Sequence, residues 1–240
     1  MTEDRTKPIL AGTAATDYER YLRTDELLSL QKSPEDVVHR DEHLFQTVHQ
    51  SSELWLKLAC LEIEAATERL QGDRVAAAVR LLRRANDCLD LITAQLHMLE
   101  HMNPVDYAVV RTALGHGAGF DSPGFRRVHD GSPALGQAFD DLLARRGLTV
   151  IDVYRRASEH EDLYQLAEQL VSWDERNILW RTTHLKVVER IIGGHVIGTQ
   201  GTPVEVLGRR LDLRFFPALW SARDQITRDS PLGADGHGSK

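Results

Sequence analysis

The chain has 240 residues, 42% of them hydrophobic and 27% charged, with a formal net charge of −7. That length carries a sizeable core without disulfides or metals, and the acidic balance argues against a general binder of nucleic acid or of anionic membranes. Two isolated cysteines, Cys60 and Cys88, make neither a CxxC site nor a disulfide framework; with no signal-like run and no long apolar span, a soluble cytoplasmic protein is expected.

Residues 1–16, rich in Thr, Ala and Gly, read as a mobile N-terminal arm. In "YERYLRTDELLSLQ" (18–31) a group of aromatics precedes a short amphipathic helix with Thr24 as its cap. Ser33 and Pro34 read as the cap and first position of a further helix running to residue 70, where Gly72 and Asp73 break it. In "LFQTVHQSSELWLKL" (44–58), Leu44, Val48, Leu54, Trp55 and Leu58 are largely compatible with one apolar stripe. Residues 74–102 form a long amphipathic helix stopped by Asn103-Pro104.

"GHGAGFDSPG" (115–124) reads as a loop, and "DGSPALG" (130–136) as another break. Helices are expected at about 136–146 and 149–157, then one or two between Leu163 and Ile192, ended by Gly193-Gly194. "GTQGTP" (198–203) is a second glycine-rich loop, followed by a helical "VEVLGRRL"; "RLDLRFF" (210–216) is the nearest approach to a strand. The expectation is an all-α helical bundle with two glycine-rich loops: a single domain over 17–225 and a flexible tail over 226–240.

Three sites carry candidate chemistry. His49 lies one helical turn from Phe45, which suits either a core histidine satisfied by a carbonyl or a pocket that reads an aromatic ligand. His184 shares a stripe with Trp180, Val187, Val188 and Ile191, so it is either a satisfied core histidine or a neutral imidazole fit to ligate haem iron. Without a CxxCH, any haem is held non-covalently. Arg111, four residues after Tyr107, is either a surface ion-pair partner or a planar fork for a substrate carboxylate. His97 and His101 have spacing suited to a metal, yet no third ligand at a recognisable spacing.

Taken together, "YERYLRTDELLSLQ", "DEHLFQTVHQSSELWLKL", "NPVDYAVVRTALG", "GAGFDS", "LWRTTHLKVVERIIG" and "GTQGT" resemble, in order, the tryptophan 2,3-dioxygenase family. The resemblance spans about residues 18–220 and implies a haem-b-dependent, homotetrameric oxygenase that takes L-tryptophan and O2 to N-formylkynurenine. It implies that His184 is the proximal iron ligand and that His49 accepts the indole N–H. Phe45 would pack against the indole, Arg111 would bind the carboxylate with Tyr107 nearby, and Thr199 would contact the ammonium and carboxylate. Tyr18, Tyr21 and Leu22 would complete a neighbouring subunit's pocket.

Departures from the family pattern bear on substrate and outcome. Ala118 stands where the family places a serine, Gln200 replaces a glycine, Pro203 stiffens the second loop, and the region 130–172 is short. They leave room for a modified (for example β-substituted) tryptophan or for insertion of one oxygen. A non-enzymatic helical interaction module is the alternative of a different class.

Overall fold

Apolar residues recur at helical spacing over four long stretches, and each stretch becomes a helix that buries one face. The computed structural model describes residues 7–198, 201 and 203–230. Its helices are α1 (Asp17–Leu22), α2 (Thr24–Leu28), α3 (Asp41–Gln71), α4 (Val75–Leu96), α5 (Pro104–Thr112), α6 (Pro123–Arg146), α7 (Val150–Arg155), α8 (Glu161–Ile192), α9 (Glu205–Gly208) and α10 (Pro217–Arg228). Among the described residues there is no β-strand, only an isolated bridge between Ile197 and Pro203. No helix among them is long and apolar enough to cross a membrane. The fold is all-α, as expected.

Helix α4 packs between α3 and α8, and α6 lies against α3. Leu56, Ile63, Leu82, Leu89, Leu135, Leu166 and Trp173 fill the core between them. A smaller core of Val48, Leu96, Leu99, Met102, Val110, Val187 and Ile191 forms at one end. Between α6 and α8 the contact is made by large side chains: the Trp173 indole N–H donates to Ser132 Oγ at 3.0 Å in the buried interior. Seven residues further along α8, two turns on, stands Trp180, and there the space between the helices opens into a cavity.

Several elements differ from the sequence expectation. The break at 130–136 does not occur, because α6 runs through Pro133. An interior proline costs about 3 kcal/mol, while each fully buried Val, Leu or Phe side chain contributes roughly 1.5–3 kcal/mol. Val128, Leu135 and Phe139 are all buried on this helix, so packing wins. The helix expected from Ser33 is instead a turn: Asp36 N–H donates to the Ser33 carbonyl (3.1 Å) and Ser33 Oγ to Asp36 Oδ2 (2.7 Å). Helix α3 starts at Asp41, held by buried Glu42, which pairs with Lys32 and accepts from Val38 N–H.

On α3 the buried face runs through Val48, Leu56, Ala59, Cys60 and Ile63. Leu54, Trp55, Leu58 and Leu61 form a second apolar face that is exposed in the single chain, so the expected single stripe is two. Of "VEVLGRRL" only Glu205–Gly208 is helical. Residues 210–216 are a turn and an irregular strap rather than a strand.

The strap is bound by Asp174, a fully buried carboxylate on α8. It accepts from Phe215 N–H (2.6 Å), Phe216 N–H (3.1 Å) and the Trp220 indole N–H (2.9 Å). Asp174→Asn puts an amide N–H2 against these donors. It should lower stability by about 1.5–3 kcal/mol, read from the urea unfolding midpoint. An unchanged midpoint would mean that the strap is held by other contacts.

Candidate functional site

Long helices set the two histidines. On α3, the His49 ring stacks on Phe45 with centroids 3.9 Å apart, and its Nδ1 lies 2.7 Å from the Phe45 carbonyl. A carbonyl only accepts, so Nδ1 carries the proton and Nε2 is left as an acceptor. Burial lowers the imidazole's basicity, opposed in part by the Phe45 carbonyl and the charge of Glu53. The ring is walled in by its neighbours yet open to the cavity.

On α8, His184 stacks nearly parallel to Trp180, with centroids 4.9 Å apart and planes 8° apart. Phe125 of α6 packs on Trp180 in turn, at 3.9 Å. The His184 imidazole makes no hydrogen bond among the described residues. Burial first, then repulsion from His49, pushes its pKa down to about 4. It is therefore neutral near pH 7, with a ring nitrogen lone pair free for a Lewis acid.

The two histidines line one cavity of about 940 Å³, the upper end of ligand-site sizes. Val48, Leu96, Leu99, Met102, Val187 and Ile191 make much of its apolar wall. Tyr107 joins it from α5, 6.1 Å from Phe45 between ring centroids, and burial raises its phenol pKa. Gly117, Ala118 and Gly119 form a stretch of wall without any side chain beyond a methyl. Glu53, one turn after His49, accepts from Ser122 Oγ and from Gly124 N–H (3.0 Å). Those bonds anchor the start of α6 to α3 where the glycine-rich segment ends.

Of the residues singled out from sequence, Phe45, His49, Tyr107 and His184 come together on this cavity. Arg111 does not line it; its Nη2 donates to the Ile197 carbonyl at 3.3 Å, tying α5 to the chain that leads to Thr199. Thr199 lies outside the described residues. Tyr18, Tyr21 and Leu22 on α1 are exposed and away from the wall. His97 pairs with Glu100, and no group of three or more potential metal ligands exists among the described residues. Glu53, Phe125, Arg181 and Arg210 also line the cavity and were not picked out from sequence. Only Glu53 carried a local signal, its four-residue spacing from His49.

A family model described as "Tryptophan 2,3-dioxygenase" matches residues 5–137 and 127–226. The chain is 35% identical to a protein of that name from Caulobacter vibrioides, covering 87% of this chain and 98% of the relative. It is 33% identical to one from Myxococcus xanthus (92% and 93%) and 32% to one from Bacillus thuringiensis subsp. konkukian (87% and 92%). The alignments are longer than the part of this chain that they cover, so these relatives carry residues that it lacks.

The buried imidazole has a pH signature. Its folded pKa of about 4 lies below the usual 6.5, so between those values the unfolded chain binds the proton and the folded one does not. Stability contributed by the neutral ring is complete above pH 6.5 and is lost on acidification toward pH 4. The urea midpoint of the protein without added ligand should fall over that window, and His184→Leu should flatten the fall. The same slope in both proteins would place the proton uptake elsewhere.

Proposed function

The chain belongs to the tryptophan 2,3-dioxygenase family, a family of oxidoreductases, and from that premise we propose that it is a haem-dependent oxygenase of L-tryptophan yielding N-formylkynurenine. The observation that carries the reading is the pair of histidines, from α3 and α8, on one largely apolar cavity. Among the described residues, one is neutral and makes no hydrogen bond, and the other leaves its acceptor nitrogen unbonded. An unpartnered neutral imidazole in an apolar cavity of this size fits a non-covalent haem, and His184 is the residue that would hold its iron. When bound, haem supplies the activation of O2 needed to add both oxygen atoms across the indole C2–C3 bond.

This chain's residues then have the work of placement. Phe45 packs flat against the indole, beside the His49 ring on which it already stacks. His49 Nε2 accepts the indole N–H, because Nδ1 is committed to the Phe45 carbonyl. Strong basicity is not required of it, since the indole proton need only be held. Arg111 grips the carboxylate with donors other than the one that bonds the Ile197 carbonyl, and Thr199 adds contacts to the ammonium and carboxylate. The exposed Tyr18, Tyr21 and Leu22, and the second apolar face of α3, support a homotetramer in which the arm of one copy completes the pocket of another.

A second reading is favoured by one feature of the wall. Gly117, Ala118 and Gly119 face the cavity, and an added Cβ at Gly119 would meet only open space. That room suits a modified tryptophan, or an outcome in which a single oxygen is inserted.

Turnover of tryptophan under isotopically labelled O2, followed by product mass, should give a product that gains two labelled atoms. One labelled atom, or much faster turnover of a β-substituted tryptophan, selects the second reading; indifference to every indole removes both. His49→Ala should lower kcat/KM for tryptophan several-fold, the equivalent of about 0.5–1.5 kcal/mol for one hydrogen bond. It should change little for 1-methyltryptophan, which has no N–H to donate. Equal losses for the two substrates would end the assignment of His49 as the indole acceptor.

A further inference from the structure

Glu53 follows His49 by four residues on α3, so carboxylate and imidazole stand about one helical turn apart, and both line the cavity. The carboxylate is fixed at both oxygens: Oε1 accepts from Ser122 Oγ, and Oε2 accepts from Gly124 N–H at 3.0 Å. Both donors are neutral, and among the described residues Glu53 forms no ion pair. Such donors satisfy the oxygens and hold them still without cancelling the charge. Anchoring α6 uses the oxygens; the charge is left over.

That charge reaches the imidazole. Of the other ionisable groups on the cavity wall, Tyr107 of α5 is a phenol that burial keeps protonated, and Arg111 on the same helix acts on Tyr107. His184 of α8 is neutral near pH 7. Arg126 and His129 of α6, Arg181 of α8 and the two arginines after α9 line the cavity as well. The charge that acts on His49 is nevertheless that of Glu53, which favours positive charge on the ring against the burial that opposes it.

We propose that Glu53 is a positioning residue whose fixed charge, acting through His49, strengthens Nε2 as the acceptor of the indole N–H. The proposal rests on the reading of His49 above. Adding oxygen across C2–C3 draws electron density from the indole nitrogen, so positive charge grows on the N–H as the ring is oxidised. An acceptor backed by a negative charge that is already in place stabilises that state more than it stabilises the bound substrate. The ring cannot turn Nε2 away, because Nδ1 is tied to the Phe45 carbonyl.

The test begins with the full chain without added haem, since the effect of the charge on the ring does not need the cofactor. The His49 signal, assigned by its loss in His49→Ala, is followed by proton NMR against pH. Glu53→Gln removes the charge and should lower the midpoint of that titration by roughly half a pH unit, the size of one charge about a helical turn away in water. In the haem-loaded enzyme the same change should lower kcat/KM for tryptophan by about three- to tenfold, chiefly in kcat. Added to His49→Ala it should have little further effect. Ser122→Ala loosens the anchor but keeps the charge, so it should lower the urea midpoint and leave the His49 titration in place. Glu53→Asp draws the charge back by one methylene; it should shift the titration the same way by less, and it keeps the test valid if Glu53→Gln does not fold.

An unchanged His49 titration in the Glu53 variants overturns the proposal and leaves the His49 reading standing. So does a loss of turnover that is as large on top of His49→Ala as in the wild type. A loss that Ser122→Ala reproduces also overturns it, because the anchor of α6 is then the whole role of Glu53. Equal losses in His49→Ala for tryptophan and 1-methyltryptophan overturn the His49 reading itself, and the proposal with it.

Discussion

A carboxylate without solvent is costly, by several kcal/mol, unless donors surround it. Asp174 meets that demand with two backbone amides of the strap and one indole N–H of α10, and so ties both to α8. The strap has no ladder of its own to hold it, since no strand pairs with it among the described residues. Two side chains on α8 hold it, Asp174 at Phe215 and Phe216 and Arg181 at Leu213. Leu213 and Phe215, which line the cavity, and the carbonyl that receives Arg181 inherit that position. The Arg181 guanidinium thus bonds to a strap that one buried charge holds.

The rest of the site divides between rigid and variable parts. His49 and His184 stand on helices of 31 and 32 residues, each packed along α4. Side chains on such helices keep their orientation through packing, and the stacks on Phe45 and Trp180 fix the ring planes further. The glycine-rich stretch 117–119, where the sequence departs from the family pattern at Ala118, lies between α5 and α6 rather than within either. Differences in substrate preference can then arise at the loops while the two imidazoles stay where they are.

What could be read from the chain followed the range of the forces involved. The stripe holding Trp180, His184, Val187 and Ile191 was legible because a helix turns spacing into a common face. The all-α fold was legible for the same reason. Pro133 misled because the local rule for proline is strong, and the burial that overrules it comes from α3 and from Trp173 of α8 rather than from neighbouring residues. The Ser33-Pro34 turn looked like a helix start because both motifs use the same cap chemistry. Glu53 needed knowledge of Ser122 and Gly124, about 70 residues away, and the cavity's arginines come from α6, α8 and the segment after α9. No spacing within one helix encodes such meetings.

Gly124 sits where α6 meets α3, so close that an added Cβ would fall 2.7 Å from both the Leu56 Cβ and a Glu53 oxygen. No side chain fits there without moving a helix, and the amide of the same residue is bound by Glu53. This makes residue 124 a fixed origin from which the preceding loop is measured. Insertions or substitutions before it change the length and chemistry of the pocket's wall, but they cannot slide α6 along α3. The crossing thus acts as a stop: changes in the loop alter the cavity wall, while the frame that carries the histidines is shielded from them.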